Sequence, residues 1–142
     1  MKPKKVIIDT GPLVAFLNKS DYYYGWTLTQ FSQLNPPFFT CEAVISEACF
    51  LLRNTGNGMQ NVLKLLDREL IQIPFKLDLE ISTIQSLMKK YSNLPMSLAD
   101  ACLVRMSEQI SQSIICTLDS DFRIYRKEKR KVIPLIIPNE LE

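Results

Sequence analysis

The spacing of apolar and polar positions along the chain changes several times, and each change marks an element. Val6-Ile7-Ile8 is a continuous β-branched run, the mark of a strand covered on both faces, and it stops at Asp9-Thr10-Gly11-Pro12. Pro12 suits the first turn of a helix with Thr10 or Gly11 as its N-cap, which predicts a short helix over 13–18. Ser20-Asp21 opens a second helix with its body over 22–31, closed by Asn35-Pro36-Pro37. A strand over 38–40 follows, with Thr40 as the expected cap of a helix over 41–53. The turn cluster 54–58 ends that helix.

Helical spacing returns over 59–69 through Val62, Leu63, Leu65 and Leu66, and 70–73 is strand-like up to Pro74. Leu77, Ile81, Ile84, Leu87 and Met88 set a helix over 77–91, broken at 92–95. Another helix runs from Ser97 through 110, then an apolar strand over 114–117 and a last strand over 132–136. Strands that alternate with helices predict an α/β fold: a parallel sheet of about five strands, with right-handed crossovers and helices on both faces. Asp9 should then stand at the carboxyl end of a central strand, where open α/β sheets place ligands and chemistry.

The chain's 142 residues suit one domain with its own core. The net charge of +2 is too small to imply a nucleic-acid partner, but the basic residues gather at Lys2, Lys4 and Lys5 and more densely near the end. No apolar run approaches the length of a membrane span and no leader pattern precedes the first strand, so the expected location is cytoplasmic. The four cysteines, Cys41, Cys49, Cys102 and Cys116, form no C-x-x-C pair and read as reduced, buried packing residues. The absence of histidine removes most zinc sites and the usual base of Ser and Cys nucleophile enzymes. Catalysis would have to rest on carboxylates, lysine, hydroxyls or a metal.

Four acidic positions recur at corresponding places in the alternation. Asp9 ends a strand. Glu47 lies on the shoulder of the apolar arc of Val44, Ala48 and Leu51, at the edge of the core. Asp100 begins an almost wholly apolar helix, where Ser97 as N-cap and Asp100 at the third helical position form an acidic version of the capping box. Capping alone would account for Asp100, but a carboxylate in such surroundings is costly unless a cation or donors meet it. Asp119 and Asp121 end another apolar strand, in a sequence that is also typical of a turn. In a parallel sheet these places converge on one edge. Crowded carboxylates stay ionised only beside a compensating cation, and oxygen-only ligands select a hard ion such as Mg²⁺ or Mn²⁺. Such an ion acidifies water and steadies a phosphodiester under attack.

Val6-Ile7-Ile8-Asp9-Thr10-Gly11-Pro12-Leu13, Ile45-Ser46-Glu47-Ala48, Ser97-Leu98-Ala99-Asp100-Ala101 and Thr117-Leu118-Asp119-Ser120-Asp121-Phe122, in this order, resemble the PIN domain family, in particular its VapC-type toxin ribonucleases. The resemblance implies a Mg²⁺- or Mn²⁺-dependent endoribonuclease of a toxin–antitoxin pair. Its catalytic acids would be Asp9, Glu47, Asp100 and Asp119, with Asp9, Asp100, Asp119 and Asp121 as candidate metal ligands. Asp119 and Asp121 compete for the last ligand position, and turn chemistry favours Asp119 at the site with Asp121 bracing the next segment. Where many members carry an additional acid this chain has Ser97, so one or two ions remain open. Thr117 matches a family hydroxyl and is placed to hold a ligand water.

Arg123, Arg126 and Lys127, with Lys129, Arg130 and Lys131, are placed to hold RNA phosphates. A solvated surface loop is the equal alternative. Tyr22, Tyr23, Tyr24 and Trp26 read as core and interface filling in preference to a stacking platform. An antitoxin and a homodimer are implied partners. The competing reading is an inactive fold of this kind used only for binding. A receiver-like module would need further acids beside Asp9, and a haloacid-type phosphatase would need an acid at Gly11.

Overall fold

The computed structural model describes residues 4–141. Lys2, of the first basic cluster, lies outside them. Five parallel strands form the main sheet: β1 (Lys5–Ile8), β2 (Phe38–Phe39), β3 (Ile71–Gln72), β4 (Ser113–Cys116) and, after a small hairpin of β5 (Arg126–Lys127) and β6 (Lys131–Val132), β7 (Leu135–Ile136). Their order is β3-β2-β1-β4-β7. β1 is therefore central, and Val6, Ile7 and Ile8 are buried as their unbroken apolar run requires.

Helices α1 (Thr10–Leu17), α2 (Tyr24–Ser32), α3 (Glu42–Leu51) and α4 (Gly58–Asp67) belong to the connections that carry the chain from β1 to β2 and on to β3. The chain then returns past β1 through α5 (Ile81–Lys90) and α6 (Leu98–Gln109) to β4. Right-handed crossovers running in opposite directions put the two helix groups on opposite faces, giving a three-layer α/β/α arrangement. Direction reverses between β1 and β4, so the crevice beyond their carboxyl ends is the switch point at which such sheets accept ligands.

Several boundaries differ from expectation for local reasons. The cap of α1 is Asp9, not Thr10 or Gly11. Thr40 does not cap α3: its hydroxyl donates to the Ile8 carbonyl at 2.8 Å, tying β2 to β1, and Cys41 occupies the cap position. The helix expected over 77–91 is a 3₁₀ turn, Leu77–Leu79, followed by α5, because Glu80 leaves the helical path and binds Arg105 of α6. The last strand is divided at Pro134, which has no N–H for a ladder. Its first half pairs antiparallel with Arg126–Lys127, and its second half joins the main sheet beside β4.

Cys41, Cys102 and Cys116 are buried, Cys49 is half-buried, and all four are free thiols. Trp26 packs against the core, but Tyr22 is 84% exposed and fills none of it. No helix among the described residues is long and apolar enough to cross a membrane.

Candidate functional site

β1 and β4 run in register from Lys5 beside Ser113 to Ile8 beside Cys116, and the ladder continues one step when the Asp9 N–H donates to the Cys116 carbonyl at 3.0 Å. Asp9 and Thr117 thus leave neighbouring strands side by side. The Asp9 carboxylate accepts from the Thr10 N–H at 2.8 Å through Oδ1 and from the Thr117 hydroxyl at 2.7 Å through Oδ2. Thr117 Oγ1 accepts in turn from the Asp119 N–H at 2.9 Å. One fully buried hydroxyl therefore fixes Asp9 and the backbone of Asp119 together.

Asp119 leads into a 3₁₀ turn, Ser120–Arg123, and its Oδ1 accepts from the Asp121 N–H at 2.9 Å. The carboxylate that braces this turn belongs to Asp119, whereas Asp121 had been expected to do so. Asp100 stands in the capping box of α6: its N–H donates to Ser97 Oγ at 3.0 Å, and its Oδ2 accepts from the Ser97 N–H at 3.1 Å. Both ends of that box were readable, since the short acid at the third helical position is the signature itself. The buried Tyr125 adds a third restraint, donating its hydroxyl to Asp100 Oδ2 at 3.3 Å.

Asp9, Thr10, Glu47, Ser97, Asp100 and Asp119 line one cavity of about 380 Å³ at the switch point. Glu47 is exposed at its rim, Asp9 and Asp100 are buried, and Asp121 is not part of the lining. Gly11 belongs to this wall, and a Cβ there would stand 3.1 Å from Leu118 Cδ1. Thr117 has no exposed surface, so its position is that of an orienter of Asp9 and not of a contact to substrate. Tyr125 was missed in the sequence: it sits inside the basic segment, and only the folded path brings it to Asp100.

Burial is the main cause that raises the Asp9 carboxyl from 3.8 to about 6; its two hydrogen bonds oppose this, and Asp100 and Asp119 add to it. Burial also raises Asp100, against the Ser97 bonds and with Asp119 adding repulsion. Among the described residues none of Asp9, Asp100 and Asp119 is in an ion pair. In the same cavity the Thr10 hydroxyl is buried with no hydrogen-bond partner among the described residues. A buried carboxylate without a cation beside an orphaned hydroxyl fits a hydrated cation or a phosphate oxygen. No three acids among the described residues converge tightly enough to grip one ion directly.

The basic segment forms the β5–β6 hairpin, with Glu128 and Lys129 in the turn at φ of 49° and 71°. Arg123 ends the 3₁₀ turn and is exposed, whereas Arg126 and Lys127 are half-buried.

No protein-family model matches the chain, and neither does any curated protein. Among solved structures the chain is similar to Mycobacterium tuberculosis VapC20, a Sarcin-Ricin loop cleaving toxin, with a TM-score of 0.65 over 82% of this chain and 92% of that one, at 18% sequence identity. With its parallel five-stranded sheet between two helix layers and this likeness, the chain has a PIN-like α/β/α fold.

Proposed function

We propose that the protein is a divalent-metal-dependent endoribonuclease that hydrolyses RNA phosphodiester bonds as the toxin of a toxin–antitoxin pair. The observation that carries the reading is the gathering of Asp9, Glu47, Asp100 and Asp119 around one cavity at the sheet's switch point, with Asp9 and Asp100 buried and no cation among the described residues paired to them. Asp9, Asp100 and Asp119 would hold Mg²⁺ or Mn²⁺, and the bound ion supplies positive charge for the phosphate and a more acidic water. Thr117 keeps Asp9 in place, while Ser97 and Tyr125 do the same for Asp100. Glu47, at the rim and open to solvent, accepts the proton of the attacking water at its carboxylate. Arg123, Arg126 and Lys127 hold the flanking phosphates.

The likeness to a toxin supports an antitoxin as partner. Exposed Phe50, Leu51, Met59 and Leu63 on the neighbouring α3 and α4 offer an apolar surface for that protein or for a second copy of this chain.

The test is cleavage of a single-stranded RNA with Mn²⁺ by the wild type and by Asp100→Asn and Glu47→Gln. Cleavage by the wild type that falls at least a hundredfold in both variants is expected. A wild type that cleaves nothing, or variants as active as it, would overturn the reading. One observation favours a second reading, a fold of this kind used only for binding: no three acids converge directly among the described residues. That reading requires Mn²⁺ to leave the thermal stability unchanged.

A further inference from the structure

A second cavity, of about 620 Å³, lies between α5, α6 and the β5–β6 hairpin. Its position was not foreseeable, because the hairpin that closes it has no Gly or Asn at its turn to announce it. Thr83, Ser86, Leu87 and Lys90 recur at helical spacing and form one wall, and Arg126 and Lys129 face them from the hairpin.

The charges in this cavity are unevenly compensated. Its two carboxylates are engaged: Glu108 takes Arg105 and the Glu128 N–H, and Glu128 takes Lys131. Arg105 is matched twice, by Glu108 and by Glu80. Lys90, Arg126 and Lys129, by contrast, are in no ion pair among the described residues. Two of the three are anchored by neutral backbone groups. Lys90 Nζ donates to the Lys129 carbonyl at 2.9 Å, and Arg126 Nη1 donates to the carbonyls of Arg123, Ile124 and Tyr125 at 2.6, 3.0 and 3.1 Å. Held at Nη1 alone, the Arg126 guanidinium keeps its Nη2 and Nε donors for an anion, which is the geometry of phosphate recognition. Thr83 and Ser86 add hydroxyl donors on the facing wall.

Two consecutive residues link this cavity to the acidic one, with which it shares no lining residue. Tyr125 gives its hydroxyl to Asp100, in the wall of the first cavity, and Arg126 lines the second. The Arg126 N–H also donates to the Tyr91 hydroxyl at 2.9 Å, at the end of α5, so the step between the cavities is fixed to the helix layer. An RNA strand with one phosphate at the acids would meet a cationic recess for another on the far side of Tyr125.

We infer that this cavity is a phosphate subsite for the RNA strand, in which Lys90, Arg126 and Lys129 bind a backbone phosphate away from the scissile one. The inference rests on the nuclease reading of the acidic cavity and adds a binding site outside it.

The test measures binding of a labelled single-stranded RNA by fluorescence anisotropy in EDTA over a series of KCl concentrations, and cleavage of the same RNA with Mn²⁺. The proteins are the wild type, the double variant Lys90→Gln/Lys129→Gln, and a control, Lys19→Gln/Lys64→Gln, which removes equal charge on the side of α1 and α4. Each lost phosphate contact on a single strand lowers the slope of log affinity against log salt by about 0.7, so loss of the one phosphate held in this cavity should lower the slope by about 0.7 in the double variant and not at all in the control. Melting temperatures check that both variants are folded.

An unchanged slope in the double variant, or an equal drop in the control, overturns the subsite and leaves the nuclease reading standing if the wild type still cleaves. A wild type that neither binds nor cleaves RNA overturns both. Adenosine monophosphate that competes with the labelled RNA at the RNA's own affinity overturns the strand assignment, because the site would then be one for a free nucleotide.

Discussion

Replacing Asp9 by Asn should make the metal-free protein more stable at neutral pH. The Asp9 carboxyl is 7% exposed and is raised from 3.8 to about 6, mainly by burial. Between those two values the native state binds more protons than the unfolded chain, so stability falls as pH rises through that window, and the full penalty stands above it. The gap corresponds to about 3 kcal/mol. Asn removes the charge but not the whole network. Its oxygen can still accept from the Thr10 N–H, but its amide then faces Thr117 Oγ1, which already accepts from the Asp119 N–H. The Thr117 proton loses its acceptor, at a cost of about 1 kcal/mol. A net gain of about 2 kcal/mol remains, on the order of 6 °C in Tm for a chain of this size. The assay is thermal melting of both proteins in EDTA from pH 4 to 8, repeated with Mn²⁺ at pH 7.5. The wild type should lose stability relative to the variant as pH rises from about 4 to 6, and only the wild type should be raised by Mn²⁺. A variant less stable than the wild type at pH 7.5 in EDTA, with the same pH dependence, would refute the argument that an uncompensated charge is stored at Asp9.

Tyr125→Phe keeps the edge contacts with Tyr91 and Phe122 but deletes the donor to Asp100; it should cost about 1 kcal/mol in urea unfolding and weaken Mn²⁺ binding in a calorimetric titration. Asp119→Ala should be about 1 kcal/mol less stable than Asp119→Asn, since only Asn can still accept from the Asp121 N–H, while Asp121→Ala and Asp121→Asn should melt alike. Mn²⁺ binding should be lost in both Asp119 variants and kept in both Asp121 variants. Gly58→Ala would bring a Cβ to 2.8 Å from both the Cβ and the backbone oxygen of the buried Leu52, so a loss of about 1–3 kcal/mol is expected in the same unfolding assay, with no change in metal binding.

How far the sequence could be read depended on how local each signal was. The run Val6-Ile7-Ile8 and the box Ser97 to Asp100 are determined by residues a few positions apart, and both appear as expected. The alternation of strands and helices announced a parallel sheet, but not the order β3-β2-β1-β4-β7, which depends on contacts between distant segments. Thr40 was misplaced because capping and bonding to a neighbouring strand require the same hydroxyl, and only the position of Ile8 decides between them. The hairpin was unreadable for a different reason. Its turn puts Glu128 and Lys129 at positive φ, where Gly or Asn would be the usual choice, and the strain is held by the contacts of Glu128 with Glu108 and Lys131. The same hairpin delivers Tyr125 to Asp100, so the residue missed at the site and the element missed in the fold have one cause.

The arrangement around Asp9 also bears on the presence of a neutral side chain, Ser97, in the cavity wall. The Asp100 carboxylate already accepts two donors, the Ser97 N–H and the Tyr125 hydroxyl, while its own N–H donates to Ser97 Oγ. A carboxylate at 97 could keep the cap, but it would add a further negative charge to a cavity in which burial and mutual repulsion already raise Asp9 and Asp100. Serine keeps the helix start and adds no charge to the cavity. In the hydrolysis proposed for this cavity, Asp9, Asp100 and Asp119 would hold the ion and the exposed Glu47 would take the proton of the attacking water.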